Sequence, residues 1–261
     1  MSVNRIFDTL LELKLTGKFA HFRKFYTNAS SLTYSIPPRT VVCGLIASIL
    51  MYPRDSYYDA LSSENLGVAI RLPHGTSLRK QFHTLNYVGN DKLINDVSMH
   101  KQCRLEMLMS APDRDLEWTI YLGFNETVSN DPDIISLDHL KSRIQDQNLG
   151  YDVYLGQKQF RGNIKLTSEY SAQDYQHINE SDYVDSVINK DQVNRLENEE
   201  FYLSIERMPL EQALSRVRKV DIRRTVRSGD ILIETTGNRL RGDFSDLLEL
   251  NDDNKTRISF L

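Results

Sequence analysis

Residues 10–36 read LLELKLTGKFAHFRKFYTNASSLTYSI, and Pro37-Pro38 then lead into RTVVCGLIASILMY at 39–52. In the first of these, Leu11, Leu13, Leu15 and then Phe19 alternate with polar residues, the period of a half-buried strand over 10–23. The polar, aromatic-rich segment that follows is a loop. Proline suits the first turn of a helix because that N–H has no intrahelical partner, so a helix opens at Pro37-Pro38. It is apolar on most faces, as expected for a helix pressed onto a sheet. Gly44 inside it costs about 1 kcal/mol relative to alanine, and close approach of helix to sheet is the expected reason. Pro53 ends it.

Working outward, residues 54–65 predict a short amphipathic helix and GVAIRLP (67–73) a strand. SLRKQFHTLNYV (77–88) alternates as a strand with one basic, wettable face. CRLEMLMSA (103–111) and LEWTIYLGF (116–124) read as strands, and SLDHLKSRIQDQN (136–148) as a second helix closed by Gly150. YDVYLG (151–156) and FRGNIKL (160–166) read as short strands. The order is β-α-β-β-α-β with additions, an α+β ferredoxin-like (RRM-like) domain over 1–168. Residues 169–200 are acidic and read as an insertion or linker, and 201–261 as a smaller β-rich C-terminal region.

Composition bounds the function. The chain has 261 residues, 40% hydrophobic and 26% charged, which describes a globular protein rather than a disordered one. A net charge of −4 excludes a general polyanion coat. The longest apolar run, Val41 to Met51, is far short of the ~20 residues a membrane span needs. MSVNRIFDTLLELKLTG carries no apolar stretch with a cleavage site, so a cytoplasmic protein without membrane contact is expected. Cys43 and Cys103 form no CxxC, and the six histidines form no HxxxH or HExxH, so neither a metal nor another cofactor is expected. No P-loop or GxSxG occurs. The charge is segregated: 1–104 carry 13 basic residues against 7 acidic, 131–200 carry 7 against 14, and 207–241 carry 9 against 4. Basic blocks that meet a phosphate backbone, with the acidic block facing solvent or protein, would account for this pattern; so would an ordinary solvated surface.

Two stretches carry chemistry. The loop from Arg23 to Tyr34 interleaves Arg23, Lys24, Phe25, Tyr26 and Tyr34 with small polar residues, and Arg39 stands in the first turn of the helix after it. Cations at a helix entrance favour a phosphate, and tyrosine faces stack on bases for about 1–3 kcal/mol each. Phe25 and Tyr34 read equally well as core anchors. The second stretch, NYVGNDKLINDVSMHKQ (86–102), is too polar for a strand interior and too long for a tight turn. It predicts a projecting arm with Leu93, Ile94 and Met99 near its tip, suited to wedging bases apart.

GKFAHFRKFYTNASSLTYSIPPRTVVCGLIASIL, then HTLNYV, CRLEMLMS and YDVYLGQKQF, together resemble the fifth CRISPR-associated (Cas) protein family, most closely its subtype I-B members. The likeness covers about residues 10–165. It implies a repeat-associated (RAMP) domain with a protruding β-hairpin thumb, here at about 86–102. It also implies a subunit of a type I Cascade complex that caps the 5′ handle of crRNA. The implied partners are the crRNA, a backbone subunit and the large subunit; contact with target DNA near the PAM is left open by the sequence. Carried over by position, Arg23, Lys24, Tyr26, Tyr34 and Arg39 touch handle phosphates and bases. Lys80, His83 and Tyr87 stand at the base of the thumb, Lys101 and Arg104 on its return strand, and Lys158 and Arg161 after the YLG segment.

In some relatives the homologous subunit cuts precursor crRNA with tyrosine, lysine and histidine. Here His100, Lys101 and Tyr26 are the corresponding types for a metal-independent endoribonuclease. Neighbours on a strand point to opposite faces, which weighs against a His100–Lys101 pair, and the expected protein is non-catalytic. A free-standing single-stranded RNA regulator is the third reading, disfavoured by the absence of an RNP-type strand.

Overall fold

Alternating leucines make the first strand, as their period requires. In a computed structural model, which describes residues 7–27, 30–125, 136–197, 201–217 and 220–261, β1 (Thr9–Gly17) buries Leu11, Leu13 and Leu15 on one face. It stops at Gly17, short of the expected Arg23. β2 (Phe19–Ala20) turns away to join a different sheet, pairing Phe19 with Met109 and Ala20 with Leu108. Next come α1 (Arg39–Ile49), with Pro38 as its N-cap, and β3 (Leu66–Arg71). A long hairpin follows, of β4 (Arg79–Tyr87) and β5 (Lys101–Met109), then β6 (Leu116–Phe124), α2 (Leu137–Gln145) and β7 (Gly162–Ser171).

β3, β6, β1 and β7 form one antiparallel sheet in that order, with β1 central between β6 and β7. Both helices pack on the face that carries Leu11, Leu13 and Leu15: Val42, Ile46 and Ile49 of α1, and Leu140 and Ile144 of α2, join that core. Ser136 caps α2, its Oγ accepting the His139 N–H. β2, β5 and β4 form a second sheet, from which the hairpin extends.

Three local expectations differ from the structure. Residues 54–65 form turns, not a helix. Asp55 takes φ +66°, and the Leu61 carbonyl that a helix would use is taken by Arg39 instead. Gly150 does not close α2; Gln147 provides the left-handed residue (φ +54°). Gly44 faces no close sheet contact, since an added Cβ would meet only the Tyr57 hydroxyl, at 3.4 Å.

The acidic stretch read as an insertion or linker is paired β-structure, apart from 198–200, which lie outside the described residues. β8 (Tyr175–Val184), β9 (Ile188–Asn189) and β10 (Val193–Leu196) each pair with later strands. The reason is an apolar minority: Val184, Ile188 and Val193 face inward between solvated carboxylates. Those later strands are β11 (Leu203–Val217), β12 (Val220–Glu234), β13 (Leu240–Leu250) and β14 (Arg257–Ile258). They are not packed apart from the first sheet. Met208, Leu210, Ile231, Ile233 and Leu261 enter the same core as β1 and α1, and Leu248 and Leu250 cover Leu10 and Tyr121 on its other face. Among the described residues no helix is long and apolar enough to cross a membrane.

Candidate nucleic-acid interface

The segment after β2 folds back on itself. Arg23 and Thr33 form an antiparallel bridge, flanked by hydrogen bonds from Lys24 N–H to Leu32 O (2.9 Å) and from Tyr34 N–H to Phe22 O (2.8 Å). Its return arm is fastened to β5: the Glu106 N–H donates to Ser31 O at 2.9 Å, and the Glu106 carboxylate accepts the Thr33 N–H at 2.9 Å. Behind it, the buried His21 ring lies 2.7 Å from Glu106 O and 3.1 Å from Ser31 Oγ. Burial pushes the His21 pKa below the ordinary histidine value.

At the tip, Phe25 and Tyr26 are exposed, their rings edge-to-face with centroids 5.4 Å apart. The exposed Arg23 reaches Thr27 O at 3.2 Å, and the Thr27 hydroxyl closes the turn on Lys24 O at 2.9 Å. Asn28 and Ala29 of this loop lie outside the described residues. A cation and two wettable rings are thus presented on a braced backbone, the combination that grips a single strand by phosphate and base face.

Two residues expected here belong to the interior instead. Tyr34 is fully buried and its hydroxyl donates to Arg207 O at 2.6 Å, with burial holding the phenol far above its usual pKa. Arg39 is 1% exposed, its guanidinium donating to Leu61 O (2.9 Å), Leu66 O (2.8 Å) and Leu210 O (3.2 Å). A guanidinium at a helix entrance suits carbonyl oxygens as well as phosphate oxygens, and here the protein supplies the oxygens.

Lys24 and Lys80 are committed to an internal carboxylate. Their ammonium groups lie 3.1 and 3.0 Å from Glu206 Oε1, and that side chain is 3% exposed. Lys80 also donates to Thr33 O at 3.1 Å, and Glu206 Oε2 accepts the Ser35 N–H at 2.9 Å. Burial pulls the Lys24 pKa down, but the charge and hydrogen bond of Glu206 outweigh it and hold the ammonium above the ordinary lysine value. The pair carries one net positive charge over the carboxylate, a fixed support beneath the loop rather than two free phosphate ligands.

On the hairpin, register decides which side chains share a face. His83 pairs with Leu105 and Tyr87 with Lys101 on one face; Phe82, Thr84 and Arg104 stand on the other. His83 is half-buried, and its Nε2 makes no hydrogen bond among the described residues. Tyr87, Lys101 and Arg104 are exposed, and so is Phe82, 54% accessible in mid-strand. The expected arm is built from two short 3₁₀ turns (91–93 and 97–99), each capped by the side chain before it: Asn90 accepts the Lys92 N–H and Asp96 the Ser98 N–H. Ile94, Val97 and Met99 are exposed there, and His100 Nε2 lies 2.9 Å from Ile94 O. Among the described residues no hydrogen bond or ion pair joins His100, Lys101 and Tyr26.

Lys158 is exposed, and Arg161 is exposed but ion-paired with Asp152. The segment before them contracts to a single bridge, Tyr154–Arg161. Gly156 (φ +87°) lies so close to His21 that a Cβ would strike the His21 carbonyl, so only glycine fits. Among the described residues no cluster of metal-binding side chains occurs.

The structure therefore brings together Arg23, Tyr26 and Arg104 on or beside the loop fastened to β5, and removes Tyr34 and Arg39 from any surface. Phe25 and Phe82 are further exposed rings of this surface; the sequence left Phe25 open between loop chemistry and the core, and did not single out Phe82. Their signal was a bulky ring at a solvent-phase position of a strand or turn, which reads the same as a core anchor until burial is known.

No curated protein matches the chain significantly. Solved structures that resemble it include the following three. One is a CRISPR protein from Archaeoglobus fulgidus (11% identity over 96% of this chain and 97% of that one, TM-score 0.48). Another is a chain of a CRISPR RNA-guided surveillance complex (12% identity, 90% and 91%, TM-score 0.49). The third is a chain of a type III-B Cmr-beta complex bound to cognate target RNA and AMPPnP (10% identity, 88% and 86%, TM-score 0.47). The sequence model of the family described as CRISPR-associated protein (Cas_Cas5) matches residues 10–227, from β1 into β12. The chain belongs to the CRISPR-associated Cas5 family.

Proposed function

We propose that this protein is a non-catalytic subunit of a type I CRISPR effector complex, closest to subtype I-B, that holds the 5′ handle of the crRNA. In this reading the β3-β6-β1-β7 sheet with its two helices is the ferredoxin-like RAMP domain, and the β4–β5 hairpin is its thumb. The observation that carries the reading is the braced loop with Arg23, Phe25 and Tyr26 at its tip, fastened to the strand that bears Arg104. Each base stacked on an exposed ring contributes about 1–3 kcal/mol without sequence preference, and the guanidinium groups give the phosphate attraction. The backbone and large subunits are the protein partners. A non-catalytic role is supported by the scattering of acid–base candidates, with Tyr34 tied to Arg207 O and His100 beside Ile94 O.

The test is the effector complex purified from its own operon with Arg23→Glu and Arg104→Glu together. At least a tenfold loss of bound full-length crRNA is expected, with the fold intact by circular dichroism. Normal crRNA content would contradict the reading. Repeat RNA incubated with the pure protein in EDTA should stay intact.

A further inference from the structure

The loop that presents Arg23, Phe25 and Tyr26 is fastened on two sides, and the second fastening comes from far along the chain. Its return arm is held by β5, through Ser31 and Thr33. Its outgoing arm alternates as an extended segment does: Phe22 and Lys24 turn inward, and Arg23 between them turns out. The inward Lys24 ends on Glu206 of β11, with its ammonium 5.5 Å from the centre of the Tyr34 ring. The same Glu206 oxygen takes Lys80 of β4, and the other oxygen accepts the Ser35 N–H shortly before α1. The next carbonyl, Arg207 O, accepts the Tyr34 hydroxyl. Lys80 stands on the face of β4 that carries Phe82 and Thr84, and Thr84 pairs with Arg104. One carboxylate thus joins the loop, the β4–β5 hairpin, the entrance of α1 and the C-terminal strands.

A buried carboxylate is costly to desolvate, and for stability alone a well-packed apolar side chain serves as well. What a charged hub adds is direction, because each ammonium is drawn to one oxygen at hydrogen-bond distance. Single-strand binding needs that direction: rings and guanidinium groups grip bases and phosphates only when they stand at the spacing of the strand, and groups placed in advance bind without an ordering cost. We propose that Glu206 is a positioning residue for guide binding. It holds Lys24 from beneath, and so sets the Arg23–Tyr26 turn at a fixed place beside Phe82 and Arg104 of the hairpin, while remaining buried itself. This deepens the function proposed above and rests on it.

The test measures binding of a 5′-handle RNA oligonucleotide to the full chain. Glu206→Gln keeps the shape of the side chain and adds one net positive charge beside the loop, which by electrostatics alone tightens RNA binding. Glu206→Met with Lys80→Met returns the net charge to that of the unsubstituted protein, and carries the test where the single variant does not fold. Both variants are expected to bind about tenfold more weakly or worse. Hydrogen exchange should speed up at the amides of 23–27 and 33–35 and stay unchanged in β1 and α1. Binding within about twofold of the unsubstituted protein, or tighter, in either folded variant would overturn the inference. So would exchange that rises equally through the core, the mark of a structural role alone. The functional reading fails separately, by unchanged binding in Arg23→Glu with Arg104→Glu, and a full chain that binds no handle RNA ends both.

Discussion

A guanidinium persists in a dry interior when most of its hydrogen-bonding capacity is met, and Arg39 finds three carbonyls, those of Leu61, Leu66 and Leu210. Arg39→Met leaves those carbonyls unpaired and is expected to cost about 3 kcal/mol or more in urea unfolding. A loss under about 1 kcal/mol would contradict its structural role. Glu206→Gln removes the only carboxylate shown between Lys24 and Lys80, and should destabilise the protein by about 2–4 kcal/mol, read by the same method. His21 gives a pH signature. Its folded pKa is lowered by burial, so between that value and the ordinary ~6.5 the unfolded chain binds more protons and stability rises with pH. Denaturation midpoints measured across this window should rise towards neutrality, and His21→Gln should flatten the rise. What the sequence tells at this scale is residue type, not depth. Arg23 and Arg39 flank the same loop and read alike, yet one is exposed and the other sealed, because burial is decided by segments such as 61–66 and 203–210 far along the chain.

Elements with a strong period were the legible ones. The leucine alternation of β1, the Pro-Pro entrance of α1 and the apolar period of α2 act locally, so short-range reading finds them. The segment 54–65 was misread because Asp55 takes a left-handed turn and the Leu61 carbonyl is captured by Arg39, and 169–200 because its sparse apolar residues are outnumbered by surface charge. If the loop and the β4–β5 hairpin contact phosphates through Arg23 and Arg104, replacing both with glutamine should reduce the log–log salt slope of handle-RNA binding by about 1.4, at about 0.7 per contact for single strands.

For the whole molecule, the shared core matters most. Leu210, Ile231 and Leu261 pack with Leu13 and Ile46, so the C-terminal strands complete the first domain rather than append to it. Thermal unfolding should therefore be a single transition by far-UV and tryptophan signals, the latter from the buried Trp118. Two separated transitions would mean the regions fold independently. The same continuity fixes β11, and with it Glu206, beneath the Arg23 loop. On the proposed function, guide binding would therefore depend on the C-terminal strands as well as on the first sheet. Photo-crosslinking from positions 25 and 26 in the native complex, followed by sequencing of the attached RNA, tests that function most directly. The account predicts attachment within the 5′ handle. Attachment confined to the spacer, or none in a complex that retains its crRNA, would contradict it.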